Sequence, residues 1–124
     1  MTDYKRGDVV LVPYPFGERL GGKRRPALVV SSEEYHHATS EVIIAQITSL
    51  LSSPHRPGDH RIEGWREAKL PRPALVRARL ATLKTSLVLR RLGELTETDF
   101  RGFAAGLQRM FDVNSQPKGS STIT

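Results

Sequence analysis

The 124 residues fit one domain of ordinary size, and a hydrophobic content of 38% is enough for a single modest core. No apolar stretch approaches the roughly 20 residues that a helix needs to span a bilayer. The polar opening MTDYKRGD lacks the apolar segment of a secretory signal, so the sequence reads as a soluble cytoplasmic protein with no membrane partner. The chain has no cysteine, which excludes a disulfide scaffold and a thiolate zinc site. A formal charge of +6 favours a polyanionic partner, nucleic acid before lipid. Arginine outnumbers lysine 14 to 5. Guanidinium grips phosphate bidentately and stacks on bases, but a codon bias toward arginine explains the ratio as well, so position has to decide.

Five or six short apolar runs, separated by Gly, Pro and Ser clusters, predict a mainly β body followed by one helix. Residues 9–12 form a first strand that stops at Pro13-Tyr14-Pro15, where prolines remove ladder donors. Residues 17–24 read as an exposed loop around Gly21-Gly22. Residues 26–31 and 41–48 are the second and third strands, both rich in β-branched residues. A loop over 52–58 leads to a short strand near 60–63. Residues 75–83 alternate, with Val76, Ala78 and Leu80 on one face and Arg77 and Arg79 on a basic opposite face. Residues 86–89 read as a last short strand. Thr96-Glu97-Thr98-Asp99 is a capping-box-like helix start. Phe100, Phe103, Ala104, Leu107, Met110 and Phe111 then recur at three- and four-residue spacing, an apolar stripe suited to core packing or, in part, to a subunit interface. The polar residues 114–124 cannot bury enough surface to fold and read as a disordered tail behind a domain of residues 1–113.

Gly21-Gly22-Lys23-Arg24-Arg25-Pro26 delivers three consecutive cations to the mouth of a buried strand. A residue before proline is held extended, so Arg25 gains a backbone direction that Lys23 and Arg24 lack. A cation fixed in this way suits the stabilisation of developing negative charge; the plain alternative is a solvated charge run. The histidines offer no rival, because neither His36-His37 nor His55 and His60 have the i, i+4 helical spacing of a hydrolytic zinc motif, and no metal is expected. Ser31-Ser32 and Ser52-Ser53 lack the Gly-x-Ser-x-Gly turn of a serine hydrolase.

Three segments taken together are more specific than any one: Lys5-Arg6-Gly7-Asp8-Val9-Val10-Leu11-Val12, Arg24-Arg25-Pro26-Ala27-Leu28-Val29-Val30 and Ile43-Ile44-Ala45-Gln46-Ile47-Thr48-Ser49. In order and spacing they resemble the MazF/PemK family of bacterial type II toxins, over about residues 6–111. The resemblance implies a small SH3-like barrel of the PemK/CcdB type with a C-terminal helix, usually a homodimer. It implies a sequence-specific endoribonuclease that cuts single-stranded RNA without metal or cofactor, inhibits growth and is silenced by a cognate antitoxin. The family's catalytic arginine, which precedes the proline, falls on Arg25, and the threonine of its Ile-Thr motif falls on Thr48. The RNA-contacting residues expected beside them are Tyr14, Phe16, Glu18, Arg24, Ser49, Arg77 and Arg79. Tyr14 and Phe16 suit either base stacking or core packing. Two departures bear on the RNA sequence recognised. Many members carry a Glu-Gln pair in the loop where this chain offers only Glu18, and an acid-Gln pair where it has Ala78-Arg79. The rival readings are a non-catalytic binder of a protein target, like the related gyrase-poisoning toxins, and a degenerate relative that binds RNA without cutting it.

Overall fold

The computed structural model describes residues 3–16, 23–49 and 54–111. Its strands are β1 (Asp8–Pro13), β2 (Arg24–Val29), β3 (Glu41–Ser49), β4 (His60–Arg61), β5 (Ala74–Lys84) and β6 (Arg90–Glu94). They form one sheet in the order β4-β5-β3-β2-β1-β6, antiparallel throughout. The central strands are near-continuous apolar runs because both faces of the sheet are covered. On one face Val9, Leu28, Ala45 and Ile47 pack with Phe103 of the C-terminal helix α2 (Glu97–Phe111). On the other, Val10, Val12, Ala27, Val29 and Ile44 pack with Tyr4, Phe16 and Val88. The result is a curled antiparallel half-barrel with a C-terminal helix, the mainly β fold that the strand pattern and the resemblance led us to expect.

The helix start is more than a cap. Thr96 Oγ1 accepts from Asp99 N at 3.2 Å, as the capping pattern predicts. Asp99 itself is buried and turns its carboxylate outward to tie down the chain before it. It accepts from His60 Nε2 at 2.9 Å, Glu63 N at 3.0 Å, Gly64 N at 2.8 Å and Thr96 Oγ1 at 3.0 Å. Burial alone would raise its pKa, but the hydrogen bond from His60, the two backbone N–H groups and Thr96 together hold the carboxyl below the usual carboxylate range. Gly102 completes the arrangement, since a Cβ there would strike the His60 ring.

Two segments differ from the sequence reading. A seven-residue helix, α1 (Glu33–Thr39), stands between β2 and β3 where no helix was expected. Its start is local chemistry: Ser32 Oγ accepts from Tyr35 N at 3.3 Å, and Glu33 and Glu34 sit at the positive end. It is too short for apolar periodicity, and His36 is its one buried side chain. The strand expected over 86–89 is instead a 3₁₀ turn at Thr85–Leu87, and β6 begins at Arg90. Of that run only Val88 is buried; Leu87 and Leu89 are 47% and 46% exposed, so their apolar character does not mark a buried strand. Among the described residues no helix is long and apolar enough to cross a membrane. The expected tail, 114–124, lies outside the described residues.

Candidate active site

β1 pairs with β2 along the whole of Arg24 to Leu28, but β2 pairs with β3 only through Ala27, Leu28 and Val29, facing Gln46, Ala45 and Ile44. Pro26 has no N–H to carry that ladder on. If the register continued two residues beyond Ala27↔Gln46, Arg25 would oppose Thr48. Residues two apart on a strand share a face, so Arg25, Thr48 and Gln46 all belong to the face of the sheet that carries Ala27. Where the two strands part, a cavity of about 380 Å³ opens. Arg25 and Pro26 form one wall; Gln46, Ile47, Thr48 and Ser49 form the wall opposite. Tyr14 and Phe16 close one side, and residues 70–72 with Ala74 close the other.

The two proposed catalytic side chains therefore share one cavity. Arg25 is half-buried, its guanidinium carbon 5.4 Å from the Tyr14 ring centroid, and among the described residues it has no carboxylate partner. A ring face beside a guanidinium restrains it without neutralising its charge. Thr48 is held on its far side by β5, opposite Leu75. Ser49 lines the cavity next to it.

The remaining expected contacts divide. Tyr14 lines the cavity, with Arg25 over its ring. Phe16 corrects an expectation: it also lines the cavity but is only 3% exposed and belongs to the core, so it is a wall and not an open stacking platform. Arg79 lies 5.9 Å over its ring, exposed. Arg24 is exposed but does not line the cavity, because it falls one residue out of phase with Arg25. Glu18 lies outside the described residues.

Arg77 overturns the expected basic face of β5. It is 7% exposed, and its guanidinium grips the buried Asp59 carboxylate bidentately, Nε to Oδ1 at 3.0 Å and Nη2 to Oδ2 at 2.9 Å, with a further bond to Pro54 O. The cause is an irregularity that alternation could not reveal. Ala45 pairs with Leu80 but Ile47 pairs with Val76, so Gln46 alone faces Arg77, Ala78 and Arg79. A bulge of this kind re-aims side chains. Arg77 goes to the 54–59 loop while Arg79 goes to Phe16. Burial would raise the pKa of Asp59, but Arg77's hydrogen bonds, the Arg56 N–H and the charges of Arg77 and His55 hold it below the usual range.

Of two further cavity residues, Gln46 escaped sequence reasoning, whereas Arg72 belongs to the run of basic residues between 71 and 95 whose charge asymmetry favours a phosphate-binding or acidic-partner surface. Gln46 carries a buried side-chain oxygen with no hydrogen-bond partner among the described residues. Arg72 is exposed on the cavity's rim, between Pro71 and Pro73. The signal for Gln46 was a single amide inside an otherwise apolar strand. Among the described residues no three His, Asp or Glu side chains gather as a metal site would require.

A curled antiparallel half-barrel with a C-terminal helix is the fold of a known class of toxins. The sequence model of the PemK-like, MazF-like toxins of type II toxin–antitoxin systems matches residues 5–111, and the chain belongs to that family. Solved structures agree on the fold. MazF from Deinococcus radiodurans superposes with a TM-score of 0.72 at 21% identity, covering 91% of this chain and 100% of that one. A MazE-MazF structure from the same organism gives 0.71 at 21% identity, covering 90% and 98%. An endoribonuclease in complex with its cognate antitoxin, from a mycobacterial species, gives 0.70 at 20% identity, covering 89% and 96%. No curated protein matches the chain in sequence.

Proposed function

We propose that the chain is the toxin of a type II pair and acts as a metal-independent, sequence-specific endoribonuclease on single-stranded RNA, inhibiting growth by cutting messages in the cytoplasm. The observation that carries this reading is the placement of Arg25 and Thr48 on one face of one cavity, at the point where β2 and β3 part. Cleavage requires the ribose 2′-oxygen to bond to the adjacent phosphorus while the bond to the 5′-oxygen breaks. The proton of the 2′-hydroxyl ends on the departing 5′-oxygen, leaving a 2′,3′-cyclic phosphate and a 5′-hydroxyl. Extra negative charge collects on the phosphoryl oxygens on the way. The Arg25 guanidinium and the Thr48 hydroxyl donate to those oxygens. Loss of one such donor slows a reaction by about 10²–10³-fold. Arg25 serves as an electrostatic group and not as a base, because a guanidinium stays protonated near neutrality.

Two further parts of the reading rest on relatives. The solved neighbours include toxins bound to antitoxins, and we extend this to a cognate antitoxin whose acidic segment covers the same cavity. The chain also forms a homodimer, which would cover exposed apolar side chains such as Phe111, 59% exposed. The test is incubation of the purified chain with mixed single-stranded RNA in excess EDTA, wild type against Arg25→Ala and Thr48→Val. Fragments ending in 2′,3′-cyclic phosphate that vanish in Arg25→Ala support the reading. Intact RNA with retained, salt-sensitive binding leaves a binder that does not cut, and no interaction with RNA points to a protein target.

A further inference from the structure

We propose that Gln46 reads a nucleobase beside the scissile phosphate and selects a keto base, uracil or guanine, over an amino base, cytosine or adenine. This deepens the RNA-cleaving reading and rests on it. Three observations lead to Gln46. It lines the same cavity as Arg25 and Thr48, on the same face of β3, two residues before Thr48. Two residues along a strand span roughly 6–7 Å, the reach from a phosphate to the base of its own nucleotide. Its amide is uncommitted: Oε1 is buried without a partner, and no hydrogen bond to either amide atom occurs among the described residues. Finally, the strand pairing breaks at this residue, where Gln46 alone faces three residues of β5. Bulges beside binding sites re-aim side chains in this way.

The bland account makes Gln46 a filler in β3. Leucine or methionine would fill the same space with no orphaned acceptor, and native folds hold few such groups. An orphaned carbonyl is easier to tolerate inside a protein than an orphaned N–H. The amide therefore rests with Oε1 inward and presents its Nε2 donor to the cavity. A donor there meets the O4 of uracil or the O6 of guanine. It opposes the amino group that cytosine and adenine carry at the same place. Unstacked bases of single-stranded RNA expose this edge.

Uracil carries a keto oxygen where cytosine carries an amino group, with N3 protonated in uracil and bare in cytosine, and comparing the two across Gln46 variants gives a direct test. Fluorescence anisotropy in EDTA would measure the binding of labelled 2′-deoxyuridine and 2′-deoxycytidine heptamers, which lack the attacking hydroxyl and cannot be cut. The proteins are wild type, Gln46→Met and Gln46→Glu, each checked for an intact thermal transition. One neutral hydrogen bond corresponds to a preference of roughly fivefold, so wild type should favour the uridine oligomer by about that factor. Gln46→Met should bring the ratio close to one, and Gln46→Glu, which replaces the donor with an acceptor, should invert it. If Gln46→Glu does not fold, Gln46→Met decides alone. A ratio unchanged between wild type and Gln46→Met, or a wild-type preference for cytidine, overturns the proposal. RNA that is cut while the ratio stays unchanged sinks the role of Gln46 alone. A ratio that responds as expected in a protein that cuts nothing sinks the nuclease reading alone; failure to bind either oligomer sinks the role of Gln46, and sinks both readings where RNA is also left intact.

Discussion

Around Asp99 and Asp59 every carboxylate oxygen has a donor: His60, two backbone N–H groups and Thr96 for one, Arg77 and the Arg56 N–H for the other. At the cavity the pattern is reversed, with Arg25 facing an aromatic ring and no described carboxylate, and the Gln46 side-chain oxygen without a partner among the described residues. Buried charge that is fully satisfied fixes loops and helix ends. Polar groups held in place yet left electrically open are suited to a ligand that brings the missing charge. β5 serves both regions, since Arg77 goes to the first and Arg79 to the second, two residues apart. Composition alone does not distinguish these arginines; the bulge opposite Gln46 does.

The largest effect expected from this contrast is on stability. Arg77→Ala leaves the Asp59 carboxylate buried without its cation, which typically costs about 3–5 kcal/mol. Denaturant titration should show a midpoint far below wild type. A midpoint within error of wild type would mean that the pair does not hold the 54–59 loop, and the division between the two regions would fail. Next comes Arg25→Ala, whose deficit should appear in catalysis. The cleavage rate should fall by roughly a hundredfold or more, close to 3 kcal/mol of transition-state stabilisation. Its unfolding free energy should stay within about 1 kcal/mol of wild type, because no ion pair among the described residues is broken and the contact over the Tyr14 ring is worth about 0.5–1 kcal/mol. Equal losses of stability in the two variants would erase the distinction.

Acid probes the satisfied region by itself. Asp99 and Asp59 both have pKa values lowered by folding. Each therefore binds fewer protons folded than unfolded, so its stabilisation is complete above the unfolded value, about 3.9, and is lost as pH falls through the lower folded value. The melting temperature should be insensitive to these two groups near neutrality and should drop steeply below about pH 4. Asp99→Asn should start from a lower melting temperature and lose part of that acid slope. An unchanged slope would show that the Asp99 cluster does not couple protonation to folding.

The same contrast explains what could be read from sequence. Strands of β-branched residues and the Phe100–Phe103–Leu107 stripe are local patterns with one physical meaning, and they placed β1, β2, β3, β5 and α2 with only small shifts at the ends. The proposed pair was legible through the family motif: Pro26 gives Arg25 a fixed backbone direction but leaves a solvated charge run as the plain alternative, and Thr48 carries no local mark of its own. What stayed hidden depended on long-range register. No alternation rule announces that one residue of β3 will face three of β5, so Arg77 was assigned to an exposed face and Gln46 passed as one more strand residue. Phe16 was ambiguous for a related reason: a ring next to a loop has no sequence mark that tells wall from platform. α1 was missed because a capped turn with one buried side chain leaves no periodic signal.

The smallest expected effect tests the other β5 arginine. Arg79 is exposed and, among the described residues, has only the Phe16 ring for company, a contact worth about 0.5–1 kcal/mol at an exposed site. Arg79→Ala should therefore leave the unfolding midpoint nearly unchanged, in contrast to Arg77→Ala. If Arg79 touches an RNA phosphate on the rim, its removal should weaken binding a few-fold and reduce the slope of log affinity against log salt by about 0.7, the contribution of one phosphate contact on a single strand. Arg79→Lys then separates charge from shape. Lysine keeps the counterion release, so the salt slope should return to the wild-type value; it lacks the flat guanidinium that lies over Phe16, so any part of the affinity owed to that stacked geometry should stay lost. A salt slope identical in all three proteins would put Arg79 outside the RNA path and confine the open region to the cavity itself.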